Sequence, residues 1–92
     1  MIIFKYKIDN DGISLPAGAQ ILSCQLQDNC FHIWALVDPN ESNVEHYNVQ
    51  VVGTGHEFDP TGWDYLTTEQ QPPFVWHIWV KKINIRDEWE FS

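Results

Sequence analysis

Residues 19–37 read AQILSCQLQDNCFHIWALV, and this stretch decides the fold class. Asp28 and Asn29 both tolerate the left-handed backbone conformation that a two-residue hairpin turn needs. With the turn placed there, the facing pairs on one side are Leu26 with Phe31, Cys24 with Ile33, and Leu22 with Ala35. The pairs on the other side are Gln27 with Cys30, Gln25 with His32, Ser23 with Trp34, and Ile21 with Leu36. Because a one-residue slip would mix the apolar and polar sides, the pattern predicts this hairpin in this register.

The rest of the chain also favours strands, since apolar and polar residues alternate with a period of two. Ile2 to Ile8 predicts a first strand, and Ile13 to Leu15 a short second one after the turn at residues 9–12. Residues 46–52 predict a further long strand, and Phe74 to Val80 a strand buried on both faces. Between them, residues 56–73 show no clear period, and one helical turn is expected at residues 63–66.

These elements predict an all-β protein: one small antiparallel sandwich or barrel of five to seven strands, with at most one short helical turn. The chain has 92 residues, enough for one domain. We expect the β domain to cover residues 1–81. Residues 82–92 are expected to form either a last strand or an acidic, aromatic C-terminal tail.

The charge is distributed unevenly along the chain, whose formal net charge is −8. All basic residues lie within the first seven or the last twelve residues, whereas residues 8–80 contain ten acidic residues and no Lys or Arg, a formal charge of −10. A surface of this kind repels phosphate groups, which argues against direct nucleic-acid binding and against anionic membranes. The favoured partner is a protein with a basic surface, and the alternative is that the charge only keeps an aromatic-rich domain soluble.

Neither a membrane span nor a signal peptide is expected from the hydropathy of the chain. Cys24 and Cys30 are predicted to lie on opposite faces of the hairpin, so no disulfide between them is expected. These features together predict a cytoplasmic protein.

No motif predicts catalysis or cofactor binding. The four histidines have no recognisable local relation to a nucleophile, and neither 56–59 nor 9–11 has the ligand spacing of a known metal site. We therefore expect a protein that is not an enzyme, with no catalytic residues, no metal and no cofactor.

Recognition through the surface is the remaining function, and acidic residues near aromatic ones are its candidates. The predicted partner-binding residues are Asp38, Glu41, Glu45, Glu57, Asp59, Trp63, Asp64, Glu88, Trp89, Glu90 and Phe91. The aromatic residues Phe58, Trp63 and Tyr65 have an alternative role, in which they plug the open end of a barrel.

Four stretches resemble a family of small bacteriophage- and prophage-encoded proteins of uncharacterised function. They are AQILSCQLQ at 19–27, WALVDP at 34–39, VVGTGH at 51–56, and the aromatic strand at 75–79. The resemblance implies a phage accessory protein in the bacterial host cytoplasm, and it carries over no catalytic residues. Small acidic phage proteins suggest, by analogy, inhibition of a host protein, including a nucleic-acid-binding defence component by acidic mimicry of DNA.

Three functions are therefore kept open. The leading hypothesis is an inhibitor or modulator of a bacterial protein with a basic surface. The second is a phage structural or assembly protein that pairs with itself, for instance as a homodimer, or with virion components through its aromatic strands. The third is a β-barrel that sequesters a small molecule, in which Lys5, Lys7, Lys81 and Lys82 would form a basic patch if the first and last strands were neighbours.

Overall fold

The computed structural model describes residues 1–83 and contains seven β-strands in that range. The strands are β1 (Ile2–Lys7), β2 (Gly12–Pro16), β3 (Gln20–Gln27), β4 (Cys30–Val37), β5 (Val44–Gly53), β6 (Asp64–Gln71) and β7 (Phe74–Ile83). The all-β prediction is confirmed, and the number of strands is at the upper end of the predicted range.

The strands form two antiparallel sheets that pack as a sandwich rather than closing into a barrel. The first sheet has the order β1–β4–β3, and the second has the order β2–β5–β7–β6. The edge strands β3 and β6 contact each other along one side of the sandwich. The shortest dimension of the molecule is 18 Å, as expected for two sheets about 10 Å apart.

The core lies between the sheets and is entirely apolar, with no buried polar or charged residue among those described. Its buried members are Ile13, Leu15, Cys24, Ile33, Ala35, Val37, Val49, Ile78 and Val80. They come from β2, β3, β4, β5 and β7, so both sheets depend on the same core.

The predicted β3–β4 hairpin is present, and its turn has the expected conformation. Asp28 has a φ of 53° and Asn29 a φ of 63°, which is the geometry of the turns that suit the twist of a two-stranded ribbon. The observed register joins Leu26 to Phe31, Cys24 to Ile33 and Ser23 to Trp34, as predicted.

The predicted register fails beyond Ser23, because β3 contains a one-residue β-bulge. Ile21, not Leu22, pairs with Ala35, and Gln20 takes the place opposite Leu36. A bulge shifts the following side chains to the other face. Ile21 therefore packs against the core, and Leu22 is exposed.

The helical turn predicted at residues 63–66 is wrong, because β6 begins at Asp64 and pairs with β7. A second bulge lies between Tyr65 and Thr67 and breaks the alternation that would have revealed the strand. The inward positions of its second half hold Glu69 and Gln71, so no apolar face is visible in the sequence. Pairing with β7 is what makes this polar segment a strand.

Candidate functional site

The predicted acidic residues lie in two separate groups. Asp38 and Glu41 belong to the β4–β5 loop, and each stabilises that loop through a local hydrogen bond. Asp38 Oδ1 accepts a hydrogen bond from the Asn40 amide at 2.9 Å, and Glu41 Oε1 accepts one from the Asn43 amide at 3.0 Å. These two residues therefore shape a turn in the β4–β5 loop, whereas the aromatic residues with which they were predicted to act lie in or directly after the β5–β6 connection.

Glu45 is engaged within the chain. Its carboxylate forms an ion pair of 2.6 Å with Lys82 Nζ and accepts a hydrogen bond of 2.8 Å from the Gly18 amide. The hydrogen bond from Lys82 and that from the Gly18 amide hold the pKa of Glu45 below its ordinary value. Glu45 and Asp64 flank β7 on different sides and at different heights, on the order of 15 Å apart by strand spacing and rise.

The second group surrounds a cluster of aromatic residues on the outer face of the second sheet. Residues 54–63, which connect β5 to β6, fold back over that face. The ring of Phe58 lies 5.1 Å from that of Trp79 and 6.0 Å from that of Trp63, and Tyr65 lies 5.3 Å from Trp79. We call Phe58, Trp63, Tyr65 and Trp79 the aromatic ridge.

The ridge lies outside the sandwich core. The alternative role, in which Phe58, Trp63 and Tyr65 plug the open end of a barrel, is therefore wrong. Tyr65 is 53% exposed, while Phe58, Trp63 and Trp79 are half-buried against one another. Trp79 was missed as a site residue, because its place in a run of aromatic and β-branched residues favoured a strand buried on both faces. Its pairing with Tyr65 across β6 and β7 is the signal that the sequence lacked.

Two exposed carboxylates, those of Glu57 and Asp59, flank Phe58 of the aromatic ridge in the chain, and one cation already lies on the ridge. Asp64 is also exposed, but it pairs with Val80 and so points to the face opposite Tyr65. Asp59 Oδ1 accepts a hydrogen bond of 3.0 Å from the Thr61 amide, and hydrogen bonding by Thr61 lowers the pKa of Asp59. The Nζ of Lys81 lies 5.6 Å from the ring centre of Trp63, within the range of a cation–π contact.

A cleft of about 430 Å³ adjoins the ridge at the end of the second sheet where the β5–β6 connection begins. We call it the end cleft; its lining includes Gly53, Thr54, His56, Glu57, Phe58, Phe74 and Trp76. Its aromatic wall consists of Phe74 and Trp76, whose rings stack at 5.3 Å with an interplanar angle of 26°. Trp76 is held by a 3.0 Å hydrogen bond from its indole Nε1 to Gln71 Oε1.

Limited space at one position and a positive φ at another account for the two glycines, Gly53 and Gly55, beside the end cleft. A Cβ at Gly53 would lie 3.1 Å from the His56 ring and 3.4 Å from the Trp76 ring, so glycine leaves room for both. Gly55 has a φ of 91°, which L-residues rarely adopt. Thr54 Oγ1 hydrogen-bonds to His77 Nε2 at 2.7 Å, and Thr68 Oγ1 to His77 Nδ1 at 3.1 Å, which anchors the turn to β7 and β6.

A family model matches residues 1–87, and therefore all of the structure described above. The chain belongs to the family described as Domain of unknown function (DUF7352). No curated protein and no solved structure matches the chain. The DUF7352 match covers both sheets, the aromatic ridge and the end cleft.

A second cleft of this DUF7352 domain, of about 660 Å³, contains a serine–histidine pair that no sequence motif indicated. Ser14 Oγ lies 2.6 Å from His46 Nδ1 across β2 and β5. Within residues 1–83, no carboxylate is hydrogen-bonded to that imidazole, so the described residues supply no orienting acid of the kind that a catalytic triad uses. The geometry is that of a cross-strand hydrogen bond on an exposed face.

The two cysteines are both free. Cys24 is buried in the core, and burial, with a smaller effect of Glu69, raises the pKa of its thiol to about 12. Cys30 lies on the opposite face of the first sheet, as the hairpin register predicted.

The prediction that Lys5, Lys7, Lys81 and Lys82 form one basic patch in a ligand-sequestering barrel is wrong. β1 pairs with β4 in the first sheet, while β7 lies between β5 and β6 in the second. Lys81 and Lys82 are consecutive strand residues, so they face opposite sides of the sheet. Lys81 lies over Trp63, and Lys82 binds Glu45.

Metal binding and membrane insertion can be addressed for residues 1–83. In that range no cluster of His, Cys, Asp and Glu is arranged to hold a metal ion, and no helix could span a membrane. The predicted site residues Glu88, Trp89, Glu90 and Phe91 lie outside the described residues.

Proposed function

We propose that this protein is a phage accessory protein that binds a basic surface of a bacterial host protein through the aromatic ridge. Binding would inhibit or modulate that host protein in the bacterial cytoplasm. The observation that carries the proposal is the position of the ridge: four aromatic rings on the outer face of the second sheet, with the exposed carboxylates of Glu57 and Asp59 on either side of Phe58 in the chain.

The ridge has the composition of a protein interface. Tryptophan and tyrosine supply large buried areas when a partner covers them, and such residues often dominate binding energy. The core is complete without the ridge, because its buried residues come from the inner faces of both sheets. The exposed carboxylates around the rings would steer a basic partner and speed its association.

The charge of residues 8–80 supports a partner that normally binds nucleic acid. The ten acidic residues of that stretch repel phosphate groups but complement the Lys- and Arg-rich surfaces to which nucleic acids bind. Occupying such a surface would exclude the nucleic acid, which is a direct route to inhibition.

The experiment is capture of partners from bacterial lysate by the immobilised protein at several salt concentrations. Captured proteins are identified, purified and titrated directly against two matched variants. Glu57→Gln/Asp59→Asn changes the two carboxylates next to Phe58 of the ridge, and Asp28→Asn/Glu41→Gln makes the same change of net charge elsewhere. We expect the first variant to bind more weakly than the second, and wild-type binding to weaken as salt screens the charges. Partners without basic surfaces, or binding that salt leaves unchanged, would contradict the proposal.

A structural or assembly protein is the second candidate, and the exposed edge of β1 favours it. Met1, Ile2, Ile3 and Phe4 are 74%, 42%, 56% and 44% exposed, and the register of β1 with β4 contains no bulge. A regular apolar edge strand is a template for pairing with another chain. Size-exclusion chromatography with light scattering decides between the candidates: a stable, salt-insensitive oligomer that Ile3→Lys converts to a monomer would favour assembly.

A further inference from the structure

We propose that the end cleft receives one arginine side chain of the partner protein. The inference rests on the proposed function and names the chemistry of one contact within it. It assigns a defined ligand, a guanidinium group, to a cleft that lies beside the aromatic ridge and shares Phe58 with it.

The end cleft is large enough to admit a single side chain. Its volume of about 430 Å³ lies near the lower end of the roughly 300–1,000 Å³ that is typical of ligand pockets. It opens between the β5–β6 turn and the tip of the β6–β7 hairpin, so a side chain that projects from a partner can enter it.

The aromatic wall of the end cleft offers a ring face to a planar cation. Phe74 is 54% exposed although it stacks on Trp76, so one side of the pair remains open. Guanidinium groups stack on aromatic faces and are more weakly hydrated than ammonium groups, which favours arginine over lysine here. The contact of Lys81 with Trp63, on the outer face of the second sheet, is an intramolecular example of a cation held on an aromatic ring.

The charge of the end cleft complements a cation. Among the described residues that line it, Glu57 is the one charged residue, and it is exposed. Its carboxylate can accept two hydrogen bonds from a guanidinium, which adds specificity to the attraction. A phosphate-bearing ligand would meet this carboxylate and the surrounding negative charge, and a metal ion would find too few ligands there.

The test uses short acetylated, amidated peptides of the form Gly-Xaa-Gly, in which Xaa is arginine, lysine or citrulline. Citrulline has nearly the shape of arginine without its charge, so it separates cation recognition from shape. Binding to the full chain is followed by NMR through the backbone amides of Gly53, Thr54 and Gly55 and the indole N–H of Trp76. We expect arginine to shift these signals, lysine to bind several-fold more weakly, and citrulline about tenfold more weakly or not at all.

Two variants of the end cleft, with one control variant elsewhere, assign the contact. Glu57→Gln is expected to weaken arginine binding about tenfold, and Glu41→Gln, the same substitution in the β4–β5 loop, to leave it unchanged. Phe74→Leu, at an exposed position, is expected to weaken arginine binding as well.

Equal binding of citrulline and arginine, or shifts at Gly62 and Trp63 without shifts at Gly53 to Gly55, would overturn the inference. If salt-sensitive capture of a basic partner persists while arginine does not bind the cleft, the inference fails and the proposed function stands. If captured partners are not basic, the proposed function fails whatever the peptide does.

Discussion

The two hairpins of the molecule are built alike, but only one carries the candidate site. The β3–β4 and β6–β7 hairpins each begin with an eight-residue strand and turn through two residues. Each also has a bulge at a leucine six positions before the turn, Leu22 in one and Leu66 in the other. Their first strands contact each other across the sandwich. The same backbone construction therefore occurs once in each sheet.

The difference lies on the sides that face away from the core. Trp34 lies on the outer face of the first sheet, and its closest aromatic neighbour in the described chain is His32 on the same strand. Trp79 lies on the outer face of the second sheet and contacts Phe58 from the β5–β6 connection and Tyr65 from β6. A ten-residue connection that folds back, rather than the sheet itself, thus creates the candidate site.

The largest expected effects test whether both hairpins share one core. Ile33 and Ile78 are each 0% exposed, one in each sheet. Either Ile33→Ala or Ile78→Ala should lower the free energy of unfolding by about 2–5 kcal/mol, because each leaves a cavity in the core. Urea unfolding measures both. Two separate unfolding transitions in either variant would show that the sheets are not one cooperative unit.

The next effect sharpens the contrast between the outer faces. Trp79→Ala removes a ring that packs against two others, and we expect a loss of about 2 kcal/mol. Trp34→Ala should cost less, about 1 kcal/mol, since fewer rings pack against it. Thermal unfolding of the two variants side by side checks this order. Equal losses would mean that the first sheet is covered as well as the second.

A smaller effect concerns the turn of the β3–β4 hairpin. Asn29 has a φ of 63°, so Asn29→Ala should destabilise the protein by roughly 1–2 kcal/mol through the steric cost of a Cβ in the left-handed region. Asn29→Gly is the matched control, because it also loses the 3.3 Å hydrogen bond from Gln71 Nε2 but keeps the conformation. A glycine variant as unstable as the alanine variant would assign the effect to that hydrogen bond between the two turns.

The smallest expected effect is the pH dependence contributed by Glu45. Its pKa is lowered from the ordinary value of 4.5 in the folded state by the hydrogen bonds from Lys82 and the Gly18 amide. The stabilisation is therefore present above pH 4.5 and is lost as the pH falls through the lower, folded-state pKa. Wild type should have a slightly higher Tm than Glu45→Gln at pH 7, and the gap should close under acid conditions. A gap that widens on acidification would contradict the ion pair with Lys82.

Local chemistry made much of the first hairpin predictable. Asp28 and Asn29 suit a turn of positive φ, and alternating apolar residues defined the register next to that turn. The bulge at Leu22 was not predictable, because moving one leucine out of the core and Ile21 into it leaves the apolar count unchanged. The second hairpin was only half predicted, since β6 has a bulge and polar inward residues such as Glu69 that hide its period.

The sequence by itself determined an acidic, all-β protein, because strand periodicity, turn chemistry and net charge are properties of neighbouring residues or of the whole composition. Only the tertiary structure decided which acidic residues are available. It engages Glu45 with Lys82, leaves Glu57 and Asp59 exposed on either side of Phe58 in the chain, and turns Asp64 to the face opposite Tyr65. It also brings Phe58 onto Trp79, 21 positions later in the chain, and stacks Phe74 on Trp76 beside Gly53. Such contacts depend on how strands pair across the sheet and where a connection folds back, and neither is encoded in local periodicity.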